Sequence, residues 1–418
     1  MIIIHAGMHK TGSSSIQDTF AKLDGDRVDI PPGCEIHCSS WFSALFTDLV
    51  RKRGISPEEI VDTRHRLLGQ TLERRRTRQT TRPLLISSER MSQYDERIKK
   101  GLIAMAGYLR EHSEEDVRVI AYVRPPRSFM SSMFQQRCKV GLPGNLTAPN
   151  AFWPRYRARF EEFDHIFGRE NVTLKPFQRE RLEGGDVVLD FAREIGVALD
   201  PGEVVPPANE TMGLEAVALL YVYWQSGKRF DRSKGHHMLW RKHFVGCISG
   251  LGSRQFVPLD AHNAQPGMWQ FIQPRPESSR RFALADTATD PVVEAHRADL
   301  DWMEARLGVP LSEPAVPEGE GIGSEAELIA VALAARPLLE DRIAQVIAAL
   351  PAHEIPDCDL SAPDVPDADR PVYELARRLD FLRDLLKPPA LEQGRRKKKP
   401  SRREQGRRKK KPSRREQG

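Results

Sequence analysis

Lys10 stands inside a loop bounded by Gly7 and Gly12, and three hydroxyl residues, Ser13, Ser14 and Ser15, follow directly. Residues of these types at this spacing bind an anion. The apolar run Ile2, Ile3 and Ile4 reads as a buried parallel strand, and Ile16, Phe20 and Leu23 recur at helical spacing. The loop therefore joins a strand end to a helix start. Gly7 and Gly12 let the backbone turn tightly, and the first helical N–H groups carry the positive end of the helix dipole. A phosphate belongs there. Arg124, ending the strand-like run Val117 to Val123, offers paired, charge-assisted hydrogen bonds to a phosphate monoester, and a serine near the next helix start adds another.

The register of the lysine matters. In the nucleoside-triphosphatase loop the lysine follows the second glycine and the next hydroxyl holds magnesium. Gly7 and Gly12 have that spacing here, but Ser13 fills the lysine position and Lys10 precedes Gly12. A magnesium-dependent enzyme would also place an aspartate at such a strand end, where this chain has Arg124. The ATP reading is weakened and no metal is required.

Lys10-Thr11-Gly12-Ser13-Ser14-Ser15 resembles the 5′-phosphosulfate loop of sulfotransferases, and Arg124 with Ser132 resembles that family's 3′-phosphate motif. Likeness to bacterial sulfotransferase-domain proteins continues through Phe167 to Phe177, Leu182 to Phe191 and Ala208 to Thr211, so it covers residues 1 to 225. The resemblance implies transfer of a sulfuryl group from 3′-phosphoadenosine 5′-phosphosulfate, as co-substrate, to a hydroxyl of a carbohydrate, glycolipid or small metabolite. Lys10 would neutralise the leaving 5′-phosphate, which Gly7, Thr11, Gly12, Ser13, Ser14 and Ser15 would hold. Arg124 and Ser132 would hold the 3′-phosphate.

Such a transfer needs a base for the acceptor's proton. Leu84 to Ser87 reads as a strand, and the resemblance implies Glu89, just past it, as that base. His5 and His9 compete for the role. The alternatives are a P-loop kinase-like ATP-dependent phosphotransferase, or a non-catalytic nucleotide-binding protein with a nucleic-acid-binding tail. Gly227 to Arg281 mixes His236, His237, Trp240, Trp269 and Phe271 with basic residues, as an acceptor site or as an insert packed on the core. Arg137 and Lys139 face either donor or acceptor.

Strands at 1–5, 83–87, 117–123 and 171–175 alternate with helices at 13–24 and 97–111. That order predicts an α/β fold, a P-loop-like three-layer sandwich whose central parallel sheet is flanked by helices, with ligands gathered at the carboxyl ends of the strands. The loops after Ile4, Ser87 and Val123 all emerge there. A catalytic domain is expected over 1–307 with an insert at 227–285, then a Pro/Gly-rich linker at 308–323 and a C-terminal helical extension at 324–391.

The formal charge of +6 over 418 residues misplaces the basicity. Residues 392–403 recur unchanged at 404–415, and the tail 392–418 holds 14 basic and 3 acidic residues, which leaves −5 on the first 391. This tail cannot bury a core and reads as disordered, with weak polyanion binding as its candidate role. No run approaches the roughly 18 apolar residues of a membrane span, and the start lacks the basic lead of a signal peptide. A cytoplasmic protein is expected. The five cysteines, Cys34, Cys38, Cys138, Cys247 and Cys358, read as reduced thiols, and Cys34, His37 and Cys38 lack a fourth ligand for zinc.

Overall fold

The computed structural model describes residues 1–34, 38–47, 56–142, 146, 149–206, 212–229, 238–251, 280–350, 355 and 365–386. Strand β1 (Ile2–His5) lies between β2 (Leu84–Ser87) and β3 (Val117–Val123), and β4 (Val172–Pro176) flanks β3. All pairings are parallel, in the order β2-β1-β3-β4. His5 ends β1 in register with Ser87, the end of β2, while β3 runs on past its partner Ile120 to Val123; because the strands are parallel, all three carboxyl ends lie on one side of the sheet.

Successive side chains of a strand face opposite ways, and the sheet uses both faces. Ile2, Ile4, Leu84, Ile86, Val119, Ala121 and Val123 join one apolar core, while Ile3, Leu85, Ile120 and Tyr122 join the other. The chain is therefore apolar without alternation in these runs. Each fully buried isoleucine contributes about 2 kcal/mol of transfer free energy.

Helix α1 (Ser13–Ala21) returns from β1 along the second face. Three helices, α2 (Cys38–Phe46), α3 (Pro57–Arg64) and α4 (Gln70–Arg78), then intervene before β2. Helix α5 (Glu96–His112) joins β2 to β3, and α6 (Pro126–Val140) and α7 (Tyr156–Phe167) lie between β3 and β4; all three pack on the first face. Helix α8 (Val187–Glu194) then joins α1. The coarse expectation of an α/β sandwich with helices on both faces agrees with this arrangement.

Helix α9 (Leu214–Arg229) is buried against α6 by Trp224, whose Nε1 donates to Cys138 O at 2.8 Å. Beyond α10 (Met238–Ser249), α11 (Asp286–Ala295) and α12 (Arg297–Leu307), residues 308–323 pack on the body. Leu311 and Ile322 are buried, Ile322 exchanges backbone hydrogen bonds with Ala283 and Ala285, and Gln178 Nε2 donates to Ser312 O at 2.7 Å. A stretch that reads as a linker by composition lies here as a strap. Helices α13 (Glu325–Ala334), α14 (Arg336–Ala348) and α15 (Arg370–Leu385) place Leu328, Leu339 and Leu375 in the same core as Ile2.

Cys34 is disulfide-bonded, which corrects the reading of reduced thiols throughout; spacing along a chain does not report which sulfurs meet in space. Cys138 and Cys247 are free and buried. His236, His237, Trp269, Phe271, the side chain of Trp240, Ala208–Thr211, Cys358 and the tail lie outside the described residues. Among those described, no helix is long and apolar enough to cross a membrane.

Candidate functional site

The loop between β1 and α1 is shaped by backbone that few residues adopt. Gly12 has φ 77°, and a Cβ there would lie 2.6 Å from Val187 Cγ1, so only glycine fits. Lys10 also takes a left-handed conformation, φ 69°, unfavourable for a residue with a side chain. Its carbonyl accepts a hydrogen bond from Arg124 Nη1 at 2.8 Å, which helps hold that conformation. The loop lysine and the strand-end arginine are thus one unit.

Helix α1 begins with no side chain capping its amides, whereas Asp95 caps α5, Asp186 caps α8 and Ser324 caps α13. Ser13 Oγ at that start is buried, lies towards Glu89, and makes no hydrogen bond of proper geometry. His5 Nε2 is likewise buried and unbonded. Ser13 Oγ, His5 Nε2 and Thr11 Oγ1 surround the point where a Cβ on Gly7 would sit, at 2.7, 3.0 and 3.1 Å. Thr11 spends its hydroxyl on Met8 O at 2.8 Å, so it shapes the loop. Ser14 and Ser15 are half-buried in the first turn of α1.

Glu89 and His9, competitors for the base in the sequence, are hydrogen-bonded to each other, Glu89 Oε2 to His9 Nδ1 at 2.8 Å. Gln93 Nε2 lies 3.2 Å from His9 Nε2. Burial pushes the Glu89 carboxyl up, but the bond and charge from His9 and the charge of Lys10 outweigh it, and its pKa lies below the ordinary value. Glu89 is an ionised carboxylate at neutral pH. Its partner is His9, and among the described residues it makes no ion pair with Arg90 or Arg124.

His5 sits beneath the loop. Its Nδ1 is 2.7 Å from Ser87 Oγ, and burial pushes its pKa down to about 4, so it is a neutral support. Ser92 Oγ donates to Gly7 O at 3.0 Å, and Arg159 Nη1 donates to Ser92 O at 2.9 Å. Burial also lowers the Lys10 ammonium, which Glu89 offsets and Arg124 reinforces.

Arg124 Nε donates to Ser128 Oγ at 3.1 Å, and Tyr156 donates to Arg124 O at 2.7 Å. Ser132 lies one turn further along α6, half-buried and not bonded to Arg124. Glu313, from the strap, accepts from Arg127 N at 2.8 Å and Ser128 N at 2.9 Å. The chain itself therefore places a carboxylate at the start of α6, close enough to act electrostatically on Arg124.

Comparison with protein-family models, curated proteins and solved structures gives no match. Lys10, Glu89, His9, Ser13 and Arg124 converge on one edge of the sheet, whereas a cavity of about 330 Å³ lined by Tyr221, Gln225, Glu325 and Val372 lies between C-terminal helices, away from these loops. Ser128, Gln93 and Glu313 are contributions that the sequence reading missed. Ser128 was within reach of helical spacing from Arg124; the other two had no local signal.

Proposed function

We propose that the chain is a sulfotransferase that uses 3′-phosphoadenosine 5′-phosphosulfate and sulfates a hydroxyl. The observation that carries this reading is the hydrogen bond from Arg124 to the Lys10 carbonyl, which ties two anion-seeking motifs 114 residues apart into one surface beside an ionised Glu89. The free α1 amides, the unbonded Ser13 hydroxyl and the Lys10 ammonium fit the oxygens of a 5′-phosphosulfate. Arg124 fits the 3′-phosphate, which would meet the Glu313 carboxylate as its neighbour.

When bound, the donor supplies a sulfuryl group on a phosphate leaving group. Glu89 accepts the proton of the acceptor hydroxyl as the new S–O bond forms, and His9 keeps the carboxylate turned to that task. Lys10 and Ser13 stabilise the charge that collects on the bridging oxygen as the old S–O bond breaks. The P-loop-like character of the fold belongs to this same reading.

The test compares adenosine 3′,5′-bisphosphate with ATP plus magnesium by thermal shift, on wild type and Arg124→Ala. At about 100 times its dissociation constant a specific ligand adds about 2.7 kcal/mol. Stabilisation by the bisphosphate alone, lost in Arg124→Ala, supports the donor site. Stabilisation by ATP and magnesium alone overturns it in favour of a kinase.

A further inference from the structure

Lys139 is a buried amine for which no described acidic group supplies a partner. It is 8% exposed near the end of α6, and among the described residues its Nζ makes no ion pair or hydrogen bond. The ionised group that acts on it is another cation, Lys10. Burial and that repulsion lower its pKa to about 7. A buried ammonium beside a second ammonium is costly unless an anion joins them.

The geometry of α6 says which anion this is not. At about 100° per residue, Ser128, Ser132, Gln135 and Lys139 fall within roughly 60° of arc, a single polar stripe. Ser128 is bonded to Arg124 at one end of the stripe, and Gln135 Oε1 accepts from Met212 N at 3.2 Å midway. Lys139 lies about 16 Å further along the axis from Ser128. It is thus remote along α6 from the Arg124 end, yet within electrostatic reach of Lys10, the loop residue whose charge Glu89 also feels.

We infer that Lys139 is the counterion for an anionic substituent of the acceptor, a carboxylate, sulfate or phosphate carried close to the hydroxyl that is modified. The inference rests on the donor reading above for what lies at Arg124 and Lys10. It gives the acceptor a chemical class. A neutral acceptor leaves the two ammoniums unbridged, while an anionic one supplies their shared partner, so Lys139 selects for charge.

The test titrates sodium sulfate, the simplest anionic group, at constant ionic strength into the full chain. The chain is first saturated with an analogue of 3′-phosphoadenosine 5′-phosphosulfate whose bridging oxygen is a methylene. That analogue fills the donor's own contacts, its sulfonate included. Calorimetry is expected to show sulfate binding to wild type, about tenfold weaker in Lys139→Met and within about threefold in Lys139→Arg. Analogue affinity stays within about twofold in both, and Lys139→Met melts no lower than wild type, since a buried unpaired charge is removed.

Absence of sulfate binding to wild type, or equal affinity in wild type and Lys139→Met, overturns the inference. So does a loss of analogue affinity that matches the loss for sulfate, which would put Lys139 in the donor's cradle. If neither the analogue nor adenosine 3′,5′-bisphosphate binds wild type, the donor reading fails instead. Sulfate titration of the free chain then decides on Lys139: affinity lost in Lys139→Met upholds an anion site, and affinity unchanged removes it.

Discussion

Glu89 is the residue whose chemistry depends most on its neighbours. His9 holds one carboxylate oxygen, and together with Lys10 it keeps the group ionised despite burial. Glu89→Gln should lower turnover by about 10² to 10⁴ and leave the affinity for adenosine 3′,5′-bisphosphate within about twofold, as steady-state kinetics and calorimetry would show. Normal turnover in that variant would pass the role to His9. Buried His5 gives a second prediction. Its folded pKa, about 4, is below the ordinary 6.5, so the unfolded chain binds the extra proton first. The contribution is fully present above pH 6.5 and is lost as pH falls towards 4, about 3 kcal/mol in all. Urea unfolding of wild type and His5→Asn at pH 7 and pH 4 should show that much less acid sensitivity in the variant. At this scale the sequence revealed the donors better than their partners. Lys10, Arg124 and Ser13 share one strand-end pattern, but the bond between His9 and Glu89 spans 80 residues and no local spacing encodes it.

Helix α6 shows how an element binds a motif together. It opens at Pro125 and Pro126, carries no cap of its own, and takes its acceptor from Glu313, some 186 residues away. Glu313→Ala should cost about 1 to 2 kcal/mol in denaturant unfolding, the usual loss for a helix cap. The same substitution should tighten binding of the bisphosphate, because a carboxylate no longer faces the group that Arg124 would hold. Weaker binding would mean that Glu313 positions Arg124 instead of opposing its ligand. The parallel strands were legible because buried β-branched runs such as Ile2 to Ile4 differ from any surface pattern. Helices α2 to α4 were not. Helix α3 buries no residue at all, and α4 ends in Arg74, Arg75, Arg76 and Arg78, so neither presents a broad apolar stripe. The packing of residues 308–323 has no local signal for a related reason, since proline and glycine report backbone freedom and not what the backbone packs against.

Across the whole molecule, the C-terminal helices and the charged tail make opposite claims on stability. Leu328, Leu339, Leu375 and Leu379 are fully buried in the core that contains Ile2 and Ile4, and Tyr221 of α9 donates to Glu325 at 2.9 Å. Removing residues after Gly323 exposes that face of α9 and should abolish cooperative unfolding at the wild-type temperature. Removing residues 392–418 takes away 14 basic and 3 acidic residues, changing the net charge from +6 to −5. By composition the segment offers almost no apolar residues to a core, so its removal should leave the fold intact. The melting temperature and the bisphosphate affinity should therefore match the full chain. Any affinity for a polyanion should vanish, because phosphate binding by lysine and arginine scales with the number of charges brought to it and falls steeply with salt. A gel-shift titration with single-stranded DNA at low and physiological salt separates the cases. Binding by the full chain that survives truncation would locate the polyanion site on the body, where the basic groups around Lys10, Arg124 and Lys139 are the ones to substitute next.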